Sequence, residues 1–167
     1  MRRTLVAYAS KHGSTEEVAR AIGARLRDGG QDVDIRDAAI VTDVAPYDVV
    51  VLGGSLYMGR WHADARVFLR HHRAALEERL LAVFALGSRT LDEHDVADSR
   101  RQLDNALERL DIHPNLVTMF GGVIEPAKLR FPLNRMPQSD ARDWAAIGAW
   151  AGEVSTQPFD SRQTEPV

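Results

Sequence analysis

Val49-Val50-Val51-Leu52 is a run of four apolar residues without polar alternation, followed at once by Gly53-Gly54. A strand with one face in water alternates apolar and polar residues. A run that does not alternate fits a strand covered on both faces, and sheets covered on both faces are parallel sheets flanked by helices. The rest of the chain meets that requirement. Leu5 to Ala9 is another short apolar run, Val33 and Ile35 alternate with Asp and Arg, and Leu80 to Leu86 and Leu116 to Phe120 supply two further strands. Helical patterns separate them. Val18, Ala19, Ile22 and Leu26 recur at helical spacing, with Glu16 and Glu17 early and Arg25 and Arg27 late, as a helix dipole favours, and Gly29-Gly30 ends the pattern. Leu103, Ala106, Leu107 and Leu110 share a face in a helix around Val96 to Leu110. A last helix is expected from Ser139 or Asp140 as N-cap, with Trp144, Ala145, Ile147, Gly148 and Ala151 near one stripe.

Five strands alternating with helices predict an α/β fold, a doubly wound five-stranded parallel sheet in a three-layer αβα sandwich. At 167 residues the chain is expected to form one domain, residues 1–154, followed by a polar C-terminal tail, residues 155–167. A formal net charge of -3 gives no electrostatic footprint for nucleic acid. With no cysteine, disulfides, thiolate chemistry and iron–sulfur clusters are excluded, so redox chemistry requires a bound organic cofactor. No apolar run approaches the roughly 18 residues of a membrane helix, and Met1 to Arg3 leads into a strand-like segment instead of a signal-peptide core. The expected location is cytoplasmic.

In a doubly wound sheet, ligands bind beyond the carboxyl ends of the strands. Four of the five strands run there into polar or glycine-bearing segments: Ser10 to Thr15, Gly53 to Trp61, Gly87 to Asp95 and Gly121 to Lys128. The first offers the hydroxyls of Ser10, Ser14 and Thr15 and the free amides of a helix N-terminus, a nest for a phosphate-sized anion, with Lys11 and His12 as added charge. A solvated turn is the competing reading. Gly13 lacks the further glycines of the dinucleotide fingerprint, and Lys11 precedes it instead of following a Walker glycine, so neither NAD nor ATP is indicated. The second segment, Gly53, Gly54, Ser55, Leu56, Tyr57, Met58, Gly59, Arg60 and Trp61, combines glycines for close backbone approach with side chains that cover a flat heteroaromatic ring. Packing of Tyr57 and Trp61 against the sheet is the alternative.

These residues resemble the flavodoxin-like family, in the branch that contains menaquinone-dependent protoporphyrinogen oxidase. The carriers are VAYASKHGSTEE at Val6 to Glu17, VVVLGGSLYMGRWH at Val49 to His62, and DARDWAAIGAWA at Asp140 to Ala151. The resemblance implies a flavodoxin-like sheet of strand order 2-1-3-4-5 and FMN as cofactor. Ser10, Lys11, His12, Gly13, Ser14 and Thr15 then match the phosphate loop, and Gly53, Gly54, Ser55, Leu56, Tyr57, Met58, Gly59 and Trp61 match the segment lining the ring. Gly87, Ser88, Arg89 and Thr90 match the third flavin-contacting loop. The chain departs from the porphyrin oxidases after the fourth strand, where Asp92, Glu93, Asp95 and Asp98 stand in place of basic residues, and its stretch from Pro126 to Gln138 is short for that group.

A flavin supplies its own redox chemistry, so no catalytic side chain is nominated and no metal site is expected. The leading expectation is an oxidoreductase passing hydrogen from a small organic donor, such as a protoporphyrinogen, to a quinone-type acceptor. A non-catalytic electron carrier for a redox protein partner is the alternative, and a reductase binding the deazaflavin F420 is a third. His62 is a candidate proton relay or a surface residue. Arg60, Arg66, Arg70 and Arg73 with His62, His71 and His72 make the most basic stretch, either a cationic lip beside the ring or a solvated helix face. Leu129, Phe131, Pro132, Leu133 and Met136 form an apolar group read as a substrate lid, a peripheral membrane contact or ordinary loop packing. Trp144 is expected in the core, and an exposed Trp150 would mark a homodimer contact.

Overall fold

The structure is a computed structural model that describes residues 1–88 and 93–159. Its main sheet contains five parallel strands, β1 (Arg3–Ala9), β2 (Asp32–Asp37), β3 (Val49–Tyr57), β5 (Leu80–Ser88) and β6 (Leu116–Gly121), ordered β2-β1-β3-β5-β6. Among the parallel strands this is the expected order 2-1-3-4-5. The added strand, β4 (Arg60–Trp61), folds back antiparallel on the end of β3, pairing Leu56 with Trp61 and Tyr57 with Arg60.

Helices α1 (Ser14–Asp28) and α4 (Trp144–Thr156) cover one face of the sheet, and α2 (Ala63–Glu77) and α3 (Glu93–Arg109) cover the other. The missing alternation in Val49 to Leu52 is thereby explained. Val49 and Val51 pack with Val18, Ile22 and Val154, whereas Val50 and Leu52 pack with the layer containing Phe68, Leu69 and Leu103. All four strand residues are buried because each face has its own helical layer. Phe84, Phe120 and Trp150 meet on the α1/α4 side with ring centroids 5.8 to 5.9 Å apart.

Two expectations about the last helix are corrected. It begins at Trp144 with Asp143 as N-cap, the Asp143 carboxylate accepting from the Ala146 N–H, because Ser139–Asp140 (β8) is drawn into an antiparallel pair with Val123–Ile124 (β7). The two tryptophans also exchange places: Trp144 is 48% exposed and Trp150 only 6%. The face that meets the sheet carries Ile147, Trp150, Ala151 and Val154, a helical stripe that leaves Trp144 outside. Helix α4 continues to Thr156, and the backbone carbonyls of Ser155 and Gln157 accept from the Arg2 guanidinium, tying residues assigned to the tail back to β1.

Between β7 and β8 the chain makes two 3-10 turns, Pro126–Lys128 and Leu133–Arg135. The stretch read as a loop is therefore an excursion closed at its base by a short strand pair. It presses closely on the sheet edge. A Cβ on Gly121 would lie 2.0 Å from the Ala141 carbonyl oxygen, so only glycine lets the chain leaving β8 approach β6.

Candidate functional site

The carboxyl ends of β1, β3, β5 and β6 open on a cavity of about 420 Å³. One end is the turn from β1 into α1. Gly13, the N-cap of α1, adopts φ +92°, a conformation suited to glycine, and no side chain caps the helix. The Ser10 hydroxyl accepts from the Gly13 N–H at 2.8 Å and fixes the turn. Two polar atoms here are buried without a hydrogen-bond partner, Thr15 Oγ1 and His12 Nε2. Thr15 is 0% exposed. The amides opening α1 and these two atoms form the kind of donor set an oxyanion completes. Burial, reinforced by the charges of Lys11 and Lys128 and opposed by Glu125, holds the His12 imidazole below its ordinary pKa.

The middle of the cavity is walled by the β3–β4 hairpin. Ser55, Leu56, Tyr57, Met58 and Gly59 all line it. Met58 (φ 51°) and Gly59 (φ 76°) form its two-residue turn, with positive φ at both positions as a tight turn matching the twist of the strands requires. The Lys11 ammonium sits 4.9 Å from the centroid of the Tyr57 ring and joins the hairpin to the turn between β1 and α1. Next to the hairpin, Leu86 and Gly87 of β5 and a stripe of α3, Asp95, Asp98, Ser99 and Gln102, also line the cavity; a Cβ on Gly87 would lie 2.8 Å from Leu56 Cδ1. The third wall comes from Gly122 to Glu125 together with Leu129 and Met136.

Of the residues expected at the site, Lys11, His12, Ser14, Ser55, Leu56, Tyr57, Met58, Gly59 and Gly87 line the cavity, and Ser10, Gly13 and Thr15 build the turn beneath it. Gly53, Gly54 and Trp61 do not line it. Gly53 and Gly54 are buried within β3, where a Cβ would meet the Phe84 ring and Trp61 Nε1, so their small size serves internal packing. Trp61 is buried, and its indole N–H donates to the Gly54 carbonyl at 3.0 Å. Ser88 closes β5, pairing with Gly121, while Arg89 and Thr90 lie outside the described residues, as does Asp92.

The basic stretch does not gather into a lip on the cavity. His62 Nδ1 accepts from the Asp64 N–H and caps α2, Arg66 donates to the Trp61 carbonyl, His72 is buried, and Arg73 pairs with Asp111. Sequence reasoning missed Ser99 and Gln102, although their spacing from Asp95 puts all three on one helix face. It also missed Lys128, whose Nζ donates to the His12 carbonyl at 3.2 Å while pairing with Glu125 at 2.7 Å. Nothing in local pattern joins residues 116 positions apart.

A family model for the flavodoxin domain matches residues 5–136. The chain belongs to the flavodoxin-domain family. The cofactor of this family is a flavin, FMN, and its chemistry is electron transfer. Among curated proteins, the chain is similar to protoporphyrinogen IX dehydrogenase [quinone] of Escherichia coli strain K12, 24% identical over 86 residues, which are 50% of this chain and 48% of that protein. The chain thus aligns with about half the length of the curated relatives it matches. Among solved structures, oxidised flavodoxin 1 from Bacillus cereus superposes with a TM-score of 0.56 at 17% identity, covering 91% of this chain and 96% of that one. The Streptococcus pneumoniae TIGR4 flavodoxin gives 0.58 at 18%, covering 92% and 97%. Rubredoxin oxygen:oxidoreductase from Desulfovibrio gigas gives 0.59 at 13%, covering 93% of this chain and 35% of that chain. At these identities the superpositions establish the fold.

Proposed function

We propose that this chain is an FMN-dependent oxidoreductase that moves hydrogen and electrons from a small organic donor, of the protoporphyrinogen kind, to a quinone-type acceptor. The observation that carries the cofactor reading is the donor set at the closed end of the cavity, uncapped α1 amides beside the buried and partnerless Thr15 hydroxyl and His12 Nε2. A phosphate would satisfy groups the protein leaves unpaired, and the residues present fit it. The donor and acceptor classes draw on the curated dehydrogenase, similar over about half its length.

When bound, FMN supplies the hydride and electron chemistry. The chain supplies position and environment. Ser10 holds Gly13 in the conformation that turns the α1 amides toward an anion, and Ser14 and Thr15 add hydroxyls. Leu56, Tyr57 and Met58 offer an apolar wall for a planar ring, with Gly59 in the turn and Gly87 beside Leu56. Asp98, Ser99 and Gln102 of α3 add polar residues to the cavity lining.

Electron carriage to a protein partner is the second reading, favoured by Asp95 and Asp98 at the cavity wall, where acidic groups steer a basic docking face. The test is to titrate the protein with FMN, riboflavin and F420, following fluorescence, then to supply reductant and a quinone to the FMN complex. FMN binding with catalytic quinone reduction is expected. FMN binding with electron delivery to a redox protein alone would favour the carrier, F420 in place of FMN would change the cofactor, and binding of none would overturn the reading.

A further inference from the structure

His12 stands in the turn between β1 and α1 with its Nε2 buried and without a hydrogen-bond partner. A ring nitrogen held out of water in this way costs free energy until a ligand of the turn completes it. His12 is also among the residues that line the cavity. Its surroundings are specific. Lys11 precedes it, but the Lys11 ammonium is turned to the Tyr57 ring. Lys128 reaches in from the excursion after β6 and donates to the His12 backbone carbonyl, and Glu125, the acid beside it, is engaged by Lys128. On the α1 side are the uncapped amides and the buried Thr15 hydroxyl, itself partnerless.

Resting on the FMN reading, we propose that His12 Nε2 is the proton-carrying ligand of the cofactor's phosphate, neutral in the free protein and protonated in the complex, so that cofactor capture takes up a proton. In the free protein burial and then the Lys11 and Lys128 charges hold the imidazole below its ordinary pKa, with Glu125 opposing. A phosphate in the turn reverses that balance. It places a doubly negative acceptor beside the ring and turns a partnerless nitrogen into the donor of a charge-assisted hydrogen bond, roughly twice as strong as a neutral one. Since the imidazole pKa is then higher in the complex than in the free protein, the added affinity is fully present below the free-protein value and is lost as pH rises through the value in the complex. The phosphate itself loses its second proton near about pH 6, a change that occurs with or without His12.

The test measures FMN affinity by fluorescence from about pH 6.5 to about pH 8.5 for the full chain, His12→Gln and His12→Lys, with riboflavin as the ligand lacking phosphate. Proton uptake is read by calorimetry in two phosphate-free buffers of unlike ionisation enthalpy. The wild-type chain is expected to lose affinity with rising pH, up to about tenfold for each unit by which the imidazole pKa in the complex exceeds that of the free protein. It should also take up more protons per FMN than either variant. His12→Gln should bind weakly at low pH without this extra dependence, and His12→Lys should keep its affinity across the range; riboflavin should show no dependence in any of the three. Equal pH dependence and equal proton uptake in wild type and both variants would overturn the proposal while leaving the FMN reading intact. Should His12→Gln fail to fold, the comparison of wild type with His12→Lys decides alone. Failure of the wild-type chain to bind FMN at any pH would overturn the cofactor reading and this proposal with it.

Discussion

The ring of Phe84 occupies the space that a side chain on Gly53 would need: a Cβ there would lie 2.0 Å from Phe84 Cζ and 2.4 Å from both Cε atoms. Phe84 is itself enclosed by Phe120 and Trp150, so it has little room to yield. Gly53→Ala is therefore expected to cost at least about 1–3 kcal/mol, the usual penalty of overpacking. Urea unfolding measures this. The FMN affinity of the fraction that remains folded should stay close to wild type, because Gly53 does not line the cavity.

Thr15 has the opposite signature, a buried hydroxyl with no partner inside the protein. Thr15→Val keeps the side-chain shape and removes the unpaired group, which is expected to stabilise the cofactor-free protein by about 1 kcal/mol. The same change should weaken FMN binding while sparing riboflavin. Thermal melts with and without FMN, set beside a titration of both ligands, read the two effects; weaker stability without cofactor would contradict the first.

The tryptophans of α4 provide a paired test of packing. Trp150→Ala opens the aromatic cluster with Phe84 and Phe120 and should destabilise by about 3–5 kcal/mol. Trp144 stands half in water with the Arg142 guanidinium 4.8 Å from its ring centroid, so Trp144→Ala should cost about 1 kcal/mol or less. Equal losses in denaturant unfolding would refute the assignment of faces.

Arg142 bonds Asp140 and reaches Glu17, linking β8 to the first turn of α1. Its hydrogen bonds hold the Asp140 carboxyl below the ordinary value against an opposing effect of burial. The sign follows from a depressed folded-state pKa: the stabilisation is present above the unfolded value near about 3.9 and is lost as pH falls through the folded one. Arg142→Met should thus be less stable than wild type at neutral pH, with the gap closing on acidification. Asp140 is half exposed, so about 1 kcal/mol is the ceiling for the pair. Melting curves from about pH 7 to about pH 3 check the convergence.

The parallel sheet was legible because burial on both faces leaves a mark in each strand separately, as in Val49 to Leu52. The tight turn from β1 into α1 was legible for a similar reason: Ser10 to Thr15 is contiguous, and the hydrogen bond that fixes it, Gly13 N–H to the Ser10 hydroxyl, is local. The start of α4 was not. Ser139 and Asp140 resemble helix caps, and only their pairing with Val123 and Ile124 makes them a strand. The faces of Trp144 and Trp150 depend on which stripe meets the sheet, a tertiary choice that periodicity alone leaves open between them. Gly53 and Gly54 illustrate the same limit at the site, since the residues that exclude a side chain there, Phe84 and Trp61, come from β5 and β4. A glycine needed for packing and a glycine needed for ligand approach look alike in a sequence.

The bond from Lys128 to the His12 carbonyl spans nearly the whole sheet in sequence, and the cavity takes its lining from Lys11 through Met136. On the ribosome, the first turn and its helix emerge well before their counterpart does. A nascent chain therefore exposes this turn while the wall that completes the cavity is still unmade, and the full cavity exists only once the chain through Met136 has left the exit tunnel and docked.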